Sequence, residues 1–150
     1  MDERSVRRIT DVTEVAALLK KTPIFAQADD ETLESMLKST IQRTIPAGET
    51  IVEKGKEGIG FYLILEGTSE VSAGGKKLAK LEAGDFFGEL SCIDGAPRTA
   101  DVVASSDVTC LVISQWEMKN VLETCPGVAR GMLRELVRRL RASNAALDTL

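Results

Sequence analysis

The stretch Phe87–Ala100, FGELSCIDGAPRTA, sets a glycine before an acid, Gly88-Glu89, and a proline before a base, Pro97-Arg98, with small residues after it. Arg98 follows Glu89 by nine positions, and the Gly-Ala-Pro turn lies between them. Such a segment provides one acceptor and one fixed positive charge on a chain built to turn sharply.

To either side of it the sequence alternates between short extended runs and turn residues. Turns are predicted at PAGE 46–49, EKGKEG 53–58, EG 66–67, GG 74–75 and AGD 83–85. Between them lie TIVE, GFYLILE, SEVSA, KLAKLE, TADVVAS and TCLVIS, rich in β-formers and spaced as in a sandwich or barrel. The expected core is an antiparallel β-roll or jelly roll over residues 41–114. Helices are expected on both sides of it. Val6, Ile9, Val12, Val15, Ala16 and Leu19 recur at helical spacing and predict one helix over Ser5–Lys20. Thr22 and Pro23 end it, and Asp29, Asp30 and Glu31 open a second helix with Leu33, Met36 and Leu37 on one face. Ser114 is a predicted N-cap for SQWEMKNVLET, and Pro126 opens a long terminal helix. The predicted class is α+β, mainly β, in one domain over 1–150: a helical lead-in 1–40, the roll 41–114 with its functional turn 87–100, and hinge and lid helices 115–150.

Composition narrows the chemistry. The chain has 150 residues, 43% of them apolar and 28% charged, enough to bury roughly two thirds of its unfolded surface. There are no histidines, which removes Ser-His-Asp and Cys-His catalysis, His-ligated metals and the commonest base at neutral pH. A histidine-bound cupin-type metalloenzyme, the catalytic alternative for a small β-roll, loses its ligands for the same reason. Cys92, Cys110 and Cys125 have no CxxC spacing and read as buried free thiols. A net charge of −4 argues against nucleic acid as a partner. No run is long and apolar enough to span a bilayer and the first residues lack a secretory h-region, so a cytoplasmic location is expected.

The lead-in, the roll broken by one functional turn and the long last helix together resemble the cyclic nucleotide-binding domain family, of the catabolite activator and protein kinase A regulatory subunit type. The resemblance covers nearly the whole chain, and Phe87-Gly88-Glu89-Leu90 with Pro97-Arg98-Thr99-Ala100 is similar to that family's phosphate-binding cassette. It implies a non-catalytic, Crp/Fnr-like regulatory sensor whose ligand is cAMP, or less readily cGMP, with no metal. It places the ribose 2′-hydroxyl on Glu89 and the cyclic phosphate on Arg98, among contacts from Phe87, Gly88, Leu90, Thr99 and Ala100. The chemistry agrees: a guanidinium grips two exocyclic phosphate oxygens in parallel, an ionised carboxylate accepts from a sugar hydroxyl, and helix-start amides face an anion.

Alignment with the family puts Val71, Leu78 and Leu81 against the purine as an apolar wall, although such strand residues also serve as plain core. Ser143 and Asn144 align with the polar place that reaches the adenine amino group, and Arg139 lies within reach of the ligand. Closure of the terminal helix over the base is the expected switch, acting on an effector the sequence does not name. Leu133, Leu140 and Leu147 with Leu136, Ser143 and Leu150 form a heptad-like seam that predicts a homodimer through that helix. A domain of the same fold that has lost its ligand and serves as a protein-interaction module remains the alternative.

Overall fold

The strand Gly60–Glu66 is buried on both faces from Phe61 to Ile64, because it stands between two separate cores. In the computed structural model, which describes residues 6–9, 11–52, 60–88 and 100–148 (backbone alone at 6–8 and 143–148), the elements run as follows. β1 (Val6–Arg8), α1 (Val12–Leu19) and α2 (Asp30–Leu37) lead into β2 (Ile41–Ile45), β3 (Thr50–Val52), β4 (Gly60–Glu66), β5 (Ser69–Ala73), β6 (Lys76–Leu81) and β7 (Phe86–Phe87). β8 (Asp101–Ala104), β9 (Val108–Ser114), α3 (Gln115–Thr124) and α4 (Pro126–Asp148) complete the chain.

The described strands form two sheets, one ordered β1-β2-β9-β4-β7 and the other β3-β8-β5-β6, with every pairing antiparallel. This is the predicted jelly roll. Tyr62 and Ile64 of β4, Cys110 and Val112 of β9, and Ile45, Ile51, Phe87 and Val102 fill the space between the sheets. The alternate residues, Phe61, Leu63, Leu111 and Ile113, face the opposite way and meet Leu19, Leu33, Met36, Met118, Val121, Val128 and Met132 of the helices. Burial on both faces explains why GFYLILE reads as an unbroken apolar run rather than an alternating one. Each such side chain contributes roughly 1.5–3 kcal/mol by leaving water.

The helical lead-in differs from expectation at its start. Val6–Arg8 is a strand paired with Ile41–Arg43, and the helix begins only at Val12. Asp11 fixes that boundary, since its side chain accepts the Glu14 amide at 3.0 Å as an N-cap. Upstream of it the backbone satisfies its polar groups on the free edge of β2. Asp29 caps α2 in the same manner, at 2.7 Å from the Thr32 amide, and hydrogen bonding from the Thr32 side chain, then from its amide, holds the carboxyl below the usual value. Ser114 caps α3 as predicted, accepting from Glu117 N at 3.1 Å.

Gly127 and Gly131 bring α4 against the backbone of residues 23–27. A Cβ on Gly131 would stand 2.7 Å from the carbonyl oxygens of both Pro23 and Ile24, and one on Gly127 2.8 Å from that of Gln27. Beyond this seam α4 presents Leu133, Val137 and Leu140 to solvent, at 61%, 46% and 60% exposure. Leu136, expected in the outer seam, is instead half-buried against the helical core, and Val137 takes its place outside. Among the described residues no helix is long and apolar enough to cross a membrane, and no three ligating side chains cluster to hold a metal.

Candidate functional site

The turn ahead of β7 is pinned to β4. Ile64 donates its amide to Asp85 O at 2.9 Å and Gly84 donates to Ile64 O at 2.8 Å, while the Asp85 carboxylate accepts the Glu82 amide at 2.8 Å. The short strand that follows sends its two rings to opposite sides of the sheet. Phe86 stacks on Phe61 in the helical core at a centroid distance of 5.2 Å, and Phe87 stacks on Tyr62 between the sheets at 4.9 Å. Gly88 then turns the chain at φ +88°, a left-handed conformation that costs glycine nothing.

The segment Glu89–Thr99 begins where the five-stranded sheet ends and returns through Ala100 to β8, which pairs with β5 of the other sheet. It therefore connects the two sheets directly. Glu89, Leu90, Arg98 and Thr99 lie outside the described residues, as does Cys92. Of the flanking positions, Ala100 is half-buried, and the Phe87 ring is committed to the core between the sheets.

The three residues aligned with a purine wall separate. Leu81 is 8% exposed and Val71 packs beside it in the core between the sheets. Leu78 is 56% exposed, on an edge strand that is exposed from Lys76 to Lys80, and it is the extra residue of a bulge where the β5–β6 register slips between Val71↔Ala79 and Ser72↔Lys77. Ser143 and Asn144 lie on α4, one residue and two residues beyond the last described side chain.

Arg139 reaches this region from α4. Its guanidinium sits 4.1 Å from the centroid of the Phe86 ring and donates through Nη2 to the Phe86 carbonyl oxygen at 2.9 Å. Glu135, one turn earlier, is buried and paired with Arg138, whose Nε lies 3.1 Å from both carboxylate oxygens and whose Nη2 also donates. Arg139 Nε is 3.7 Å from the same carboxylate. Arg138's hydrogen bond holds the Glu135 carboxyl below its usual value, against the effect of burial. Phe86 and Glu135 were not among the residues expected from sequence; the Glu-x-x-Arg-Arg spacing at 135–139 is the one signal that pointed to this cluster. Away from the site, Cys110 and Cys125 are free and buried, and burial raises the Cys110 thiol to about 11.

The profile of the cyclic nucleotide-binding domain family matches residues 42–125, from β2 to the end of α3. The chain belongs to the cyclic nucleotide-binding domain family. Within that family it is 33% identical over 121 residues to a cAMP-dependent protein kinase regulatory subunit of Hypocrea atroviridis, covering 81% of this chain and 24% of that one. It is 32% identical over 135 residues to an uncharacterized NTE family protein of Mycobacterium tuberculosis, covering 89% and 23%. Among solved structures, the catabolite activator protein of Thermus thermophilus superposes with a TM-score of 0.75 at 30% identity, over 85% of this chain and 62% of that one. The chain spans about a quarter of the length of these curated relatives.

Proposed function

We propose that residues 1–150 act as one cyclic nucleotide sensor domain, non-catalytic and regulatory, with its ligand held at Glu89–Thr99. Arg98 takes the cyclic phosphate, Glu89 the ribose 2′-hydroxyl, and the amides near Glu89 and Leu90 add to the anion site, with Gly88 and Ala100 leaving room for close approach. Thr99 offers a hydroxyl to the phosphate or the base. Val71 and Leu81 line the purine side, and Leu78 meets the base only if the bulge rearranges. Ser143 and Asn144 approach the base from α4. The observation that carries this reading is the sheet-to-sheet segment itself, entered through a left-handed Gly88 with an α4 arginine seated on the residue two positions before it.

cAMP is the preferred ligand of this reading, supported by the name of the Hypocrea atroviridis relative; cGMP is the second. Binding pulls the segment inward and shifts α3 and α4 toward a closed state, at about 1.4 kcal/mol of differential affinity per tenfold change in population. Two copies pair through α4, an effector elsewhere reads the change, and nucleic acid is not bound by this domain. Buried free thiols fit a cytoplasmic setting.

Calorimetry with cAMP, cGMP and 5′-AMP tests the proposal. Arg98→Ala is expected to fold normally and to lose about 2–5 kcal/mol of cyclic nucleotide affinity, the range for removing one partner of a desolvated charge pair. Unchanged affinity removes the central claim. No thermal shift with any nucleotide, where a ligand at a hundred times its Kd should add about 2.7 kcal/mol, leaves the interaction-module alternative standing.

A further inference from the structure

Trp116, the chain's single tryptophan, is 85% exposed on the first turn of α3. The helix cannot rotate to hide it: Ser114 caps its start, and Met118 and Val121 anchor the opposite side in the helical core. An indole presents a large, rigid apolar surface with a polar edge, the type of side chain that dominates binding at interfaces.

One turn along, Asn120 lines a cleft of about 230 Å3 between α2 and α3. Glu31, Thr32 and Ser35 form its other wall, with Glu117 and Thr124 beside Asn120 and Val121 contributing from α3. Among the described residues the lining thus carries two carboxylates, three hydroxyls and an amide, and no cation. Asp30 next door is neutralised by Lys20, whereas the ion pairs of the described residues leave Glu31 and Glu117 out. The basic residues of these two helices lie off the cleft. Lys119 is two residues from Glu117 and so about 200° around α3, and Lys38 follows the last turn of α2.

We propose that the Trp116 face docks a short basic segment of a partner polypeptide, with an arginine or lysine side chain in the cleft between Glu31 and Glu117 and an adjacent apolar side chain covering the indole. Charge decides the occupant. Two unpaired carboxylates attract a guanidinium or ammonium and repel nucleic acid or an anionic membrane, while the hydroxyls and the Asn120 carbonyl accept the donors a carboxylate leaves over. An arginine that stops at the rim can also stack on the indole face. None of the residues of this surface belongs to the nucleotide site proposed at Arg98.

Because Trp116 is the only tryptophan, its fluorescence reports on this face alone. The probe is the peptide acetyl-Leu-Arg-Lys-Leu-Arg-amide, titrated without nucleotide and again with Arg98→Ala, so that a failed sensor reading leaves the test intact. Saturable binding with a blue shift of Trp116 emission is expected, and the glutamate analogue of the peptide should give none. Glu31→Gln with Glu117→Gln should weaken binding about tenfold, or ~1.4 kcal/mol. The charge-matched pair Glu49→Gln with Glu66→Gln, both exposed elsewhere, should leave it unchanged. Trp116→Ala, followed by anisotropy of a labelled peptide, should weaken it as well. Equal losses in both glutamine pairs, no shift with the basic peptide, a shift with phosphatidylglycerol vesicles in its place, or a shift from raising protein concentration alone would each overturn the proposal.

Discussion

Arg139 grips Phe86 twice, by its ring at 4.1 Å and by its carbonyl oxygen at 2.9 Å. One side chain on α4 therefore holds the strand that delivers the chain to Gly88. Arg139→Ala is expected to destabilise the domain by about 1–2 kcal/mol, from one cation–π contact and one charged hydrogen bond. Amide exchange should quicken in α4 beyond Glu135 but not around Val128–Met132. Lysine should rescue only part, lacking the planar fork. Exchange identical to wild type would mean the contact holds nothing.

Glu135 makes the same junction sensitive to acid. Its folded pKa is depressed, so its stabilising contribution is present above the unfolded value near 4.3 and is lost as pH falls through the folded value. Glu135→Gln should therefore cost about 1–2 kcal/mol at neutral pH. That difference should shrink as urea melts are moved below about pH 4. A difference independent of pH would show that shape, not charge, is what the position needs.

Gly131→Ala separates two opposing effects by their sign. Helix propensity alone favours alanine by up to about 1 kcal/mol. The added Cβ, however, would meet two backbone carbonyl oxygens at 2.7 Å, and backbone cannot swing aside as a side chain can. A net loss of about 1–3 kcal/mol in thermal denaturation is expected; a gain would mean that α4 stands off from residues 23–24 in solution.

Leu140→Glu is expected to leave monomer stability within about 0.5 kcal/mol, as for other exposed positions, and to abolish a weak homodimer. Light scattering or sedimentation across a concentration series reads both species. Wild-type protein that stays monomeric at high concentration, with and without nucleotide, ends the dimer reading.

Thr99→Ala is expected to weaken cGMP more than cAMP in calorimetry, since guanine, unlike adenine, carries its amino group at C2, where it could donate to the hydroxyl when the base lies over the segment. Equal losses would assign the hydroxyl to the phosphate.

Much of the roll was legible because its punctuation is local. EG at 66–67 needs a left-handed residue, and Gly67 supplies it at φ +91°; Ser114 before an amphipathic run marks a helix start by itself. The first strand was not legible, since Val6 and Ile9 fall by spacing into the helical pattern of Val12–Leu19, and only pairing with a distant β2 makes Val6–Arg8 extended. Leu136 and Val137 show a related limit: a heptad count finds a stripe, but which edge of it faces the body depends on where Gly127 and Gly131 seat the helix. Around the site, the glycine before the acid and the proline before the arginine were visible in sequence. The clasp on Phe86 was not, because it joins residues 53 positions apart through a backbone oxygen that every residue type possesses.

β7 is only two residues long, and its rings belong to different compartments. A strand so short has rotation about its own axis as its softest motion, and such a roll drives Phe86 and Phe87 in opposite senses. Any torque applied just past Gly88 thus loosens one compartment while compressing the other, like a pin turned through a wall. Two hydrophobic volumes that share none of the described side chains are in this way geared to each other by a single dipeptide.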